Sequence, residues 1–294
     1  MKHYPFAVFL VAALQLSNRG TASVEPGTFP PRWTPEHQEC ANEEPFLVHE
    51  YNPTFAIIRQ SGCTNFEKPF LYLLIGSKEA LLVDTGATGA HAIDVVGAVL
   101  RRQAQRGQQR LLPLLVVHSH GHGDHTAGDA ELVRRGDTRL IEGTPDAVAQ
   151  FFAIRNWPAD IAQYDLGDRV IDIVPIPGHQ PASIAIYDRR TGILLTGDTL
   201  YPGRLYVRDA QAFRDSIDRL VAFTATREIA HVLGAHIEQA RTPFVDYPVR
   251  TTFQPDEHAL ELGRAHLLEL QDALHRMRDP LERRGFRDFT IWPQ

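Results

Sequence analysis

At 294 residues, 43% of them hydrophobic, the chain is long enough to bury a large core as one domain or one and a half. A formal charge of -6 without any basic run excludes a grip on phosphate backbones, so no nucleic-acid partner is expected. Only two cysteines occur, Cys40 and Cys63, and neither lies beside a metal-type cluster, which argues against a thiolate ligand.

The chain opens with Met1-Lys2-His3, an apolar stretch from Phe6 to Leu14, and small residues at Thr21-Ala22-Ser23. A basic start, a short apolar core and a small-residue patch describe a secretory signal peptide over 1–23. That core is too short to span a bilayer as a permanent helix, and no cysteine follows it closely. The expectation is a secreted or periplasmic protein with no stable membrane anchor. In such a compartment Cys40 and Cys63 form one disulfide closing a modest loop; two buried free thiols are the alternative.

Residues 24–54 begin rich in Pro, Glu and Thr and read as an extended lead-in; residues 55–294 read as the domain proper. Strands are expected at Phe55–Ile58, Phe70–Ile75 and Ala80–Val83, the last two forming a hairpin that ends in Asp84-Thr85-Gly86. Residues 90–106 follow as an amphipathic helix with Ile93, Val96, Val99 and Leu100 on one face. The apolar run Leu114–Val117 is a short buried strand. Short helices at 128–136 and 145–154 flank a strand at Arg139–Ile141. Val170–Ile176 leads into Pro177-Gly178-His179, and the hairpin Ser183–Tyr187 with Ile193–Thr196 runs into Gly197-Asp198-Thr199. After a helix at 210–224, the strand His231–Leu233 ends at Gly234-Ala235-His236. A long helix over 256–278 carries Leu260, Leu267, Leu270 and Leu274 on one face, and the tail from Arg283 to Pro293 docks its aromatic residues on the body. Strand-rich halves separated by helices imply two similar α/β halves packed together.

The strand Leu114–Val117 stops at His118-Ser119-His120-Gly121-His122-Gly123-Asp124-His125. Neutral imidazole and carboxylate oxygen are ligands that divalent metals such as zinc prefer, and glycines let a tight loop aim several of them at one point. Asp84, His179, Asp198 and His236 stand at four further strand ends, each with glycine nearby. A lone histidine at a strand end is usually structural; five ordered elements of this kind point to a metal site.

His120-x-His122-x-Asp124-His125, with the later elements in order, resembles the signature of the metallo-β-lactamase superfamily. The resemblance runs from about residue 55 to 236. It implies a four-layer αββα sandwich, two mixed β-sheets flanked by helices. It also implies two metal ions, zinc first and manganese or iron as alternatives. His120, His122 and His179 hold one, Asp124, His125 and His236 the other, and Asp198 bridges them. The implied nucleophile is a hydroxide shared by the two metals, with Asp124 orienting it or taking its proton. Asp84 supports the metal loop and its histidines from behind, and His118, which matches no ligand position, is read with it.

Asp at position 198 excludes the lactamases with a Cys ligand there, and Gly197-Asp198-Thr199-Leu200 is similar to glyoxalase II and related thioester or ester hydrolases. Tyr201 follows Asp198 at a spacing similar to that of a substrate-contacting tyrosine in quorum-signal lactonases; packing at the loop base is its alternative. Arg204, Tyr206 and Arg208 line the same loop and suit an acidic or polar group. The resulting expectation is an exported binuclear zinc hydrolase of a small ester, thioester or lactone. The alternatives are a secreted β-lactamase of the all-His/Asp kind, a phosphodiesterase, a mono-iron sulfur oxygenase and a non-catalytic metal-binding protein.

Overall fold

Alternation of apolar side chains along each strand sets the layers. The computed structural model describes residues 24–35, 37–89, 91–107 and 110–294. The stretch read as an export signal, 1–23, lies outside the described residues; among these, no helix is long and apolar enough to cross a membrane. The first sheet takes β1 (Phe46–Asn52), β2 (Phe55–Gln60), β3 (Phe70–Ile75), β4 (Ala80–Val83), β5 (Leu114–Val117) and β6 (Thr138–Leu140) in that order. It is antiparallel from β1 to β4 and parallel from β4 to β6. A parallel step needs a crossover, which α1 (Ala92–Gly107) supplies between β4 and β5. Between β5 and β6 the chain makes two single-turn helices, α2 (Gly123–Thr126) and α3 (Asp129–Leu132), and α4 (Pro145–Phe152) follows β6.

The second half contributes β7 (Ala162–Asp165), β8 (Val170–Pro175), β9 (Ile184–Asp188), β10 (Ile193–Gly197), β11 (Arg204–Val207), β12 (His231–Gly234) and β13 (Glu261–Leu262). All but β11 join in the second sheet, ordered β13-β12-β10-β9-β8-β7, with the β10–β12 pair parallel across α5 (Ala210–Thr224). After α6 (Arg264–Arg276), β14 (Arg284–Gly285) and β15 (Thr290–Pro293) complete a small third sheet in which β15 pairs with β11.

Leu81 and Val83 of β4 join Leu115 and Val117 of β5, Ile171 and Ile173 of β8 and Leu195 of β10 in one core between the two sheets. Their neighbours Ala80, Leu82, Leu114 and Val116 point the other way, under Val96, Val99 and Leu100 of α1. On the far side, Val174, Ala185, Leu194 and Val232 pack beneath Phe213, Ile217 and Leu220 of α5 and Leu267, Leu270 and Leu274 of α6. The result is the αββα sandwich: helix, sheet, sheet, helix.

Some elements differ from expectation. Within the lead-in 24–54, Phe46–Asn52 forms the edge strand of the first sheet. The 128–136 helix divides into α3 and a 3₁₀ turn at Val133–Arg135, which Gly136 ends in the left-handed region. The last helix starts at Arg264, not 256, because residues 261–262 pair with β12 and Gly263 is extended; Leu260 therefore joins the core between the sheets. Cys40 and Cys63 are bridged, with 5.3 Å between their Cα atoms, tying the lead-in to the loop after β2.

One polar staple crosses between the sheets. Arg169, just before β8, is fully buried and gives two hydrogen bonds to the Asp188 carboxylate, at 3.0 and 2.6 Å. Its Nη1 reaches the carbonyls of Thr54 and Ile75 at the far end of the first sheet, at 2.5 and 3.3 Å. Removing one member of such a pair strands the other charge. Arg169→Leu is expected to cost about 3–5 kcal/mol of stability, read as the shift of a urea unfolding midpoint; a cost below about 1 kcal/mol would contradict this role.

Candidate metal centre

The parallel pairs β4–β5 and β10–β12 end side by side, one pair in each sheet, and open α/β sheets present ligands at such carboxyl ends. Asp84 leaves β4, the histidine loop leaves β5, His179 follows β8, Asp198 leaves β10 and His236 follows β12. The two sheets meet closely here. Gly197 has φ +51, and a Cβ there would lie 2.7 Å from the Ser119 Cβ, so only glycine fits.

Two groups of ligand-type atoms result. His120, His122 and His179 form the first; Asp124, His125, Asp198 and His236 form the second, and within each group the atoms lie within 4.8 Å of one another. In the first, His122 Nδ1 is 2.8 Å from His120 Nε2 and 3.1 Å from His179 Nε2. In the second, Asp124 Oδ2 is 3.1 Å from His125 Nε2 and 3.4 Å from His236 Nε2. Asp198 faces both. Its Oδ2 is 3.5 Å from His179 Nε2 and 3.9 Å from His120 Nε2, while Oδ1 is 3.5 Å from His125 Nε2 and 3.4 Å from His236 Nε2.

The fold settles which ring nitrogens point inward. His125 Nδ1 is 2.9 Å from Asp84 Oδ2, His179 Nδ1 is 2.8 Å from the Tyr206 carbonyl, and His236 Nδ1 is 2.9 Å from the Glu67 carbonyl. A nitrogen facing a carbonyl or carboxylate carries the proton, so its ring partner turns a lone pair to the centre. Asp84 pays for this order with a left-handed backbone, φ 65; its carboxylate also accepts from the backbone N and the hydroxyl of Ser119 at 2.7 and 2.8 Å. His118 is buried behind the loop, Nδ1 to the His125 carbonyl at 3.0 Å and Nε2 3.2 Å from Asp129, away from the ligand atoms.

The charges are those of a cation site. Burial, then repulsion from His179 and Arg208, pushes His122 down to about 4; burial likewise lowers His120 and His179. Burial alone would raise Asp124 and Asp198, yet the facing histidines hold both carboxyls far below the usual range. Against the same burial, Asp198 and Asp124 lift His236 to about 9, and Asp84, Asp124 and Asp198 lift His125 well above the ordinary value. The inward nitrogens of the first group face one another and Asp198 Oδ2, and among the described residues the buried Asp198 Oδ1 has no hydrogen-bond partner. Both facts fit divalent cations, which His120, His122 and His179 would hold on one side and Asp124, His125 and His236 on the other, with Asp198 between.

A cavity of about 430 Å³ opens onto this centre. Arg204, Tyr206 and Arg208 line it, together with residues the sequence did not single out: Glu67, Lys68, Glu238 and Arg250. They sit on loops without a motif, and only Glu238, two residues past His236, had any positional signal. Tyr201 is buried at the base of this wall; its hydroxyl donates to the Arg204 carbonyl, with Glu238 Oε2 at 3.1 Å, and its ring centre is 5.7 Å from that of His236.

The profile of the metallo-beta-lactamase superfamily matches residues 66–229. Among curated proteins, the chain is 29% identical over 166 residues to the acyl-coenzyme A thioesterase MBLAC2 of Bos taurus, covering 46% of this chain and 59% of that protein. It is 33% identical over 136 residues to the hydroxyacylglutathione hydrolase of Anaeromyxobacter dehalogenans, covering 45% and 46%. The matches thus span about half the length of these relatives. A metallo-beta-lactamase from Pontibacter korlensis superposes with a TM-score of 0.53 at 14% identity, over 79% of this chain and 100% of that one, a likeness of fold.

With His236 raised to about 9 in the metal-free protein, a metal arriving at pH 7 displaces its proton. His125, raised likewise, must lose its proton as well, so affinity should rise with pH through neutrality toward about 9. Zinc titration calorimetry in buffers of different ionisation enthalpy should show net proton release at pH 7 that shrinks as the pH is raised. Uptake without proton release at pH 7 would contradict the charge arrangement.

Proposed function

The chain belongs to the metallo-beta-lactamase superfamily, and from that premise we propose that it is an exported, binuclear zinc hydrolase of a small thioester, ester or lactone. The observation that carries the reading is Asp198, whose two oxygens face two separate groups of ligand atoms. A metal pair there supplies Lewis acidity, polarising an acyl oxygen and lowering the pKa of water. Asp124, partly exposed to the cavity, is the carboxylate placed to orient the attacking water and accept its proton. Thioesters stand first among the acyl substrates because the curated relatives are named as thioesterase and hydroxyacylglutathione hydrolase. The Cys40–Cys63 bridge supports an oxidising compartment and hence export.

The cavity wall narrows the class further. Arg204 is neutralised by Glu238 at 2.9 Å, but Arg208 and Arg250 have no carboxylate within ion-pair distance among the described residues. Among the described residues the Arg208 guanidinium bonds only the Gln294 side-chain oxygen, at 3.1 Å, and Arg250 lies against the Phe66 ring. Two unpaired guanidinium groups at the mouth favour a substrate bearing a carboxylate or phosphate.

The test is hydrolysis by the zinc-loaded protein of matched thioesters, an ester, a lactone and a β-lactam, with a chelated control. The thioester pair differs only in a terminal carboxylate. Chelator-sensitive turnover of acyl substrates is expected, with kcat/KM about tenfold higher for the anionic thioester. Cleavage of the β-lactam alone would overturn the substrate class, and equal rates for the pair would remove the anionic preference.

A further inference from the structure

Beside the Lewis acidity of a metal pair, a fixed hydrogen-bond donor stabilises the negative charge that develops on the carbonyl oxygen in acyl hydrolysis. Most donors on the cavity wall are already committed. The Tyr201 hydroxyl is given to the Arg204 carbonyl, and the Thr251 hydroxyl to the Pro248 carbonyl at 2.6 Å. Lys68 Nζ gives two of its three protons to the carbonyls of Phe66 and Thr251, both at 2.5 Å. Arg208 and Arg250 are exposed and lightly held, so neither is preorganised.

Tyr206 differs from all of these. Residues 204 and 206 share one face of β11, while Leu205 and Val207 point into the core beneath α5. The Tyr206 hydroxyl oxygen accepts from Arg204 Nε at 3.1 Å, and among the described residues its own proton goes to no acceptor. Arg204 is itself immobilised: Nη2 donates to Glu238 Oε1 at 2.9 Å and Nη1 to the Tyr247 carbonyl at 2.7 Å. The backbone of residue 206 is pinned as well, because its carbonyl accepts from His179 Nδ1 at 2.8 Å. A phenol that accepts from a guanidinium is polarised toward donation, and here both its oxygen and its strand are held in place.

Resting on the hydrolase reading above, we propose that the Tyr206 hydroxyl is the protein donor to the substrate carbonyl oxygen as charge develops on it, with Arg204 as its positioning residue. The oxygen gains a hydrogen bond and no proton is transferred. Tyr201, although three residues from Asp198, then serves to hold Glu238 and the Arg204 backbone.

The test compares Tyr206→Phe and Tyr201→Phe with wild type in the zinc-loaded, full-length protein. Zinc content, thermal midpoint, kcat, KM and affinity for a phosphonate analogue of the hydrolysed thioester are measured. Tyr206→Phe should lower kcat by about 100-fold with KM nearly unchanged, at wild-type zinc content and midpoint. Phosphonate binding should weaken with it, since the analogue carries the charged oxygens that the donor serves. Tyr201→Phe should cost less in kcat and more in thermal midpoint. Wild-type kcat in Tyr206→Phe would overturn the proposal, as would a loss of kcat that merely follows loss of zinc. So would a larger kcat loss in Tyr201→Phe at unchanged midpoint. A zinc-loaded wild type that cleaves no acyl substrate would instead overturn the hydrolase reading itself.

Discussion

Imidazole lone pairs turned toward one another repel, and this protein buries several of them at one point. His120, His122 and His179 bring their inward nitrogens to 2.8 and 3.1 Å, with the Asp198 carboxylate 3.5 and 3.9 Å from two of them. Such an arrangement has two requirements, that the fold dictate each ring's orientation and that a proton or a metal cation sit between the facing nitrogens. Much of the architecture near the strand ends is explained by the first requirement. The Asp84 carboxylate, the Tyr206 carbonyl and the Glu67 carbonyl each take the outer nitrogen of one ring. None of these acceptors is a ligand, yet without them the ligands would be free to turn.

The sandwich explains why these acceptors come from such distant parts of the chain. Glu67 lies in the loop between β2 and β3, Asp84 after β4, and Tyr206 on β11, which leaves the main sheets for the small third one. Packing the inner faces of two sheets in one core brings their carboxyl ends together, and the contact of Gly197 with Ser119 marks how closely. The Arg169 staple and the Cys40–Cys63 bridge restrain the sheets and the loop from the sides. The site is thus the place where two half-structures meet, and the carboxylate that faces both groups of ligand atoms, Asp198, sits at that seam.

Much of this was legible in the sequence. Short apolar strands that each stop at Asp or His announce a site at strand ends, because continuous apolar runs and ligand chemistry are both local properties of the chain. What stayed hidden depends on backbone groups and on long-range pairing. The Glu67 and Tyr206 carbonyls hold histidines through atoms every residue has, so no side chain reports them. The last helix reads as starting at 256 because Leu260 fits its apolar spacing, and only pairing of β13 with β12 assigns that leucine to the core between the sheets. The third sheet pairs β11 with the tail, a partnership between segments too far apart for local pattern to indicate. Spacing singles out Tyr201 and leaves Tyr206 as a loop residue; their hydrogen bonds distinguish a committed hydroxyl from an uncommitted one.

The central claim is that one carboxylate serves two metals held by two sets of side chains. Anomalous diffraction at the zinc edge, from crystals of the zinc-loaded protein, tests it most directly. Two peaks are predicted, one among His120, His122 and His179 and one among Asp124, His125 and His236, with an Asp198 oxygen toward each. A single peak at full occupancy with excess zinc, or two peaks that Asp198 does not contact, would contradict the account.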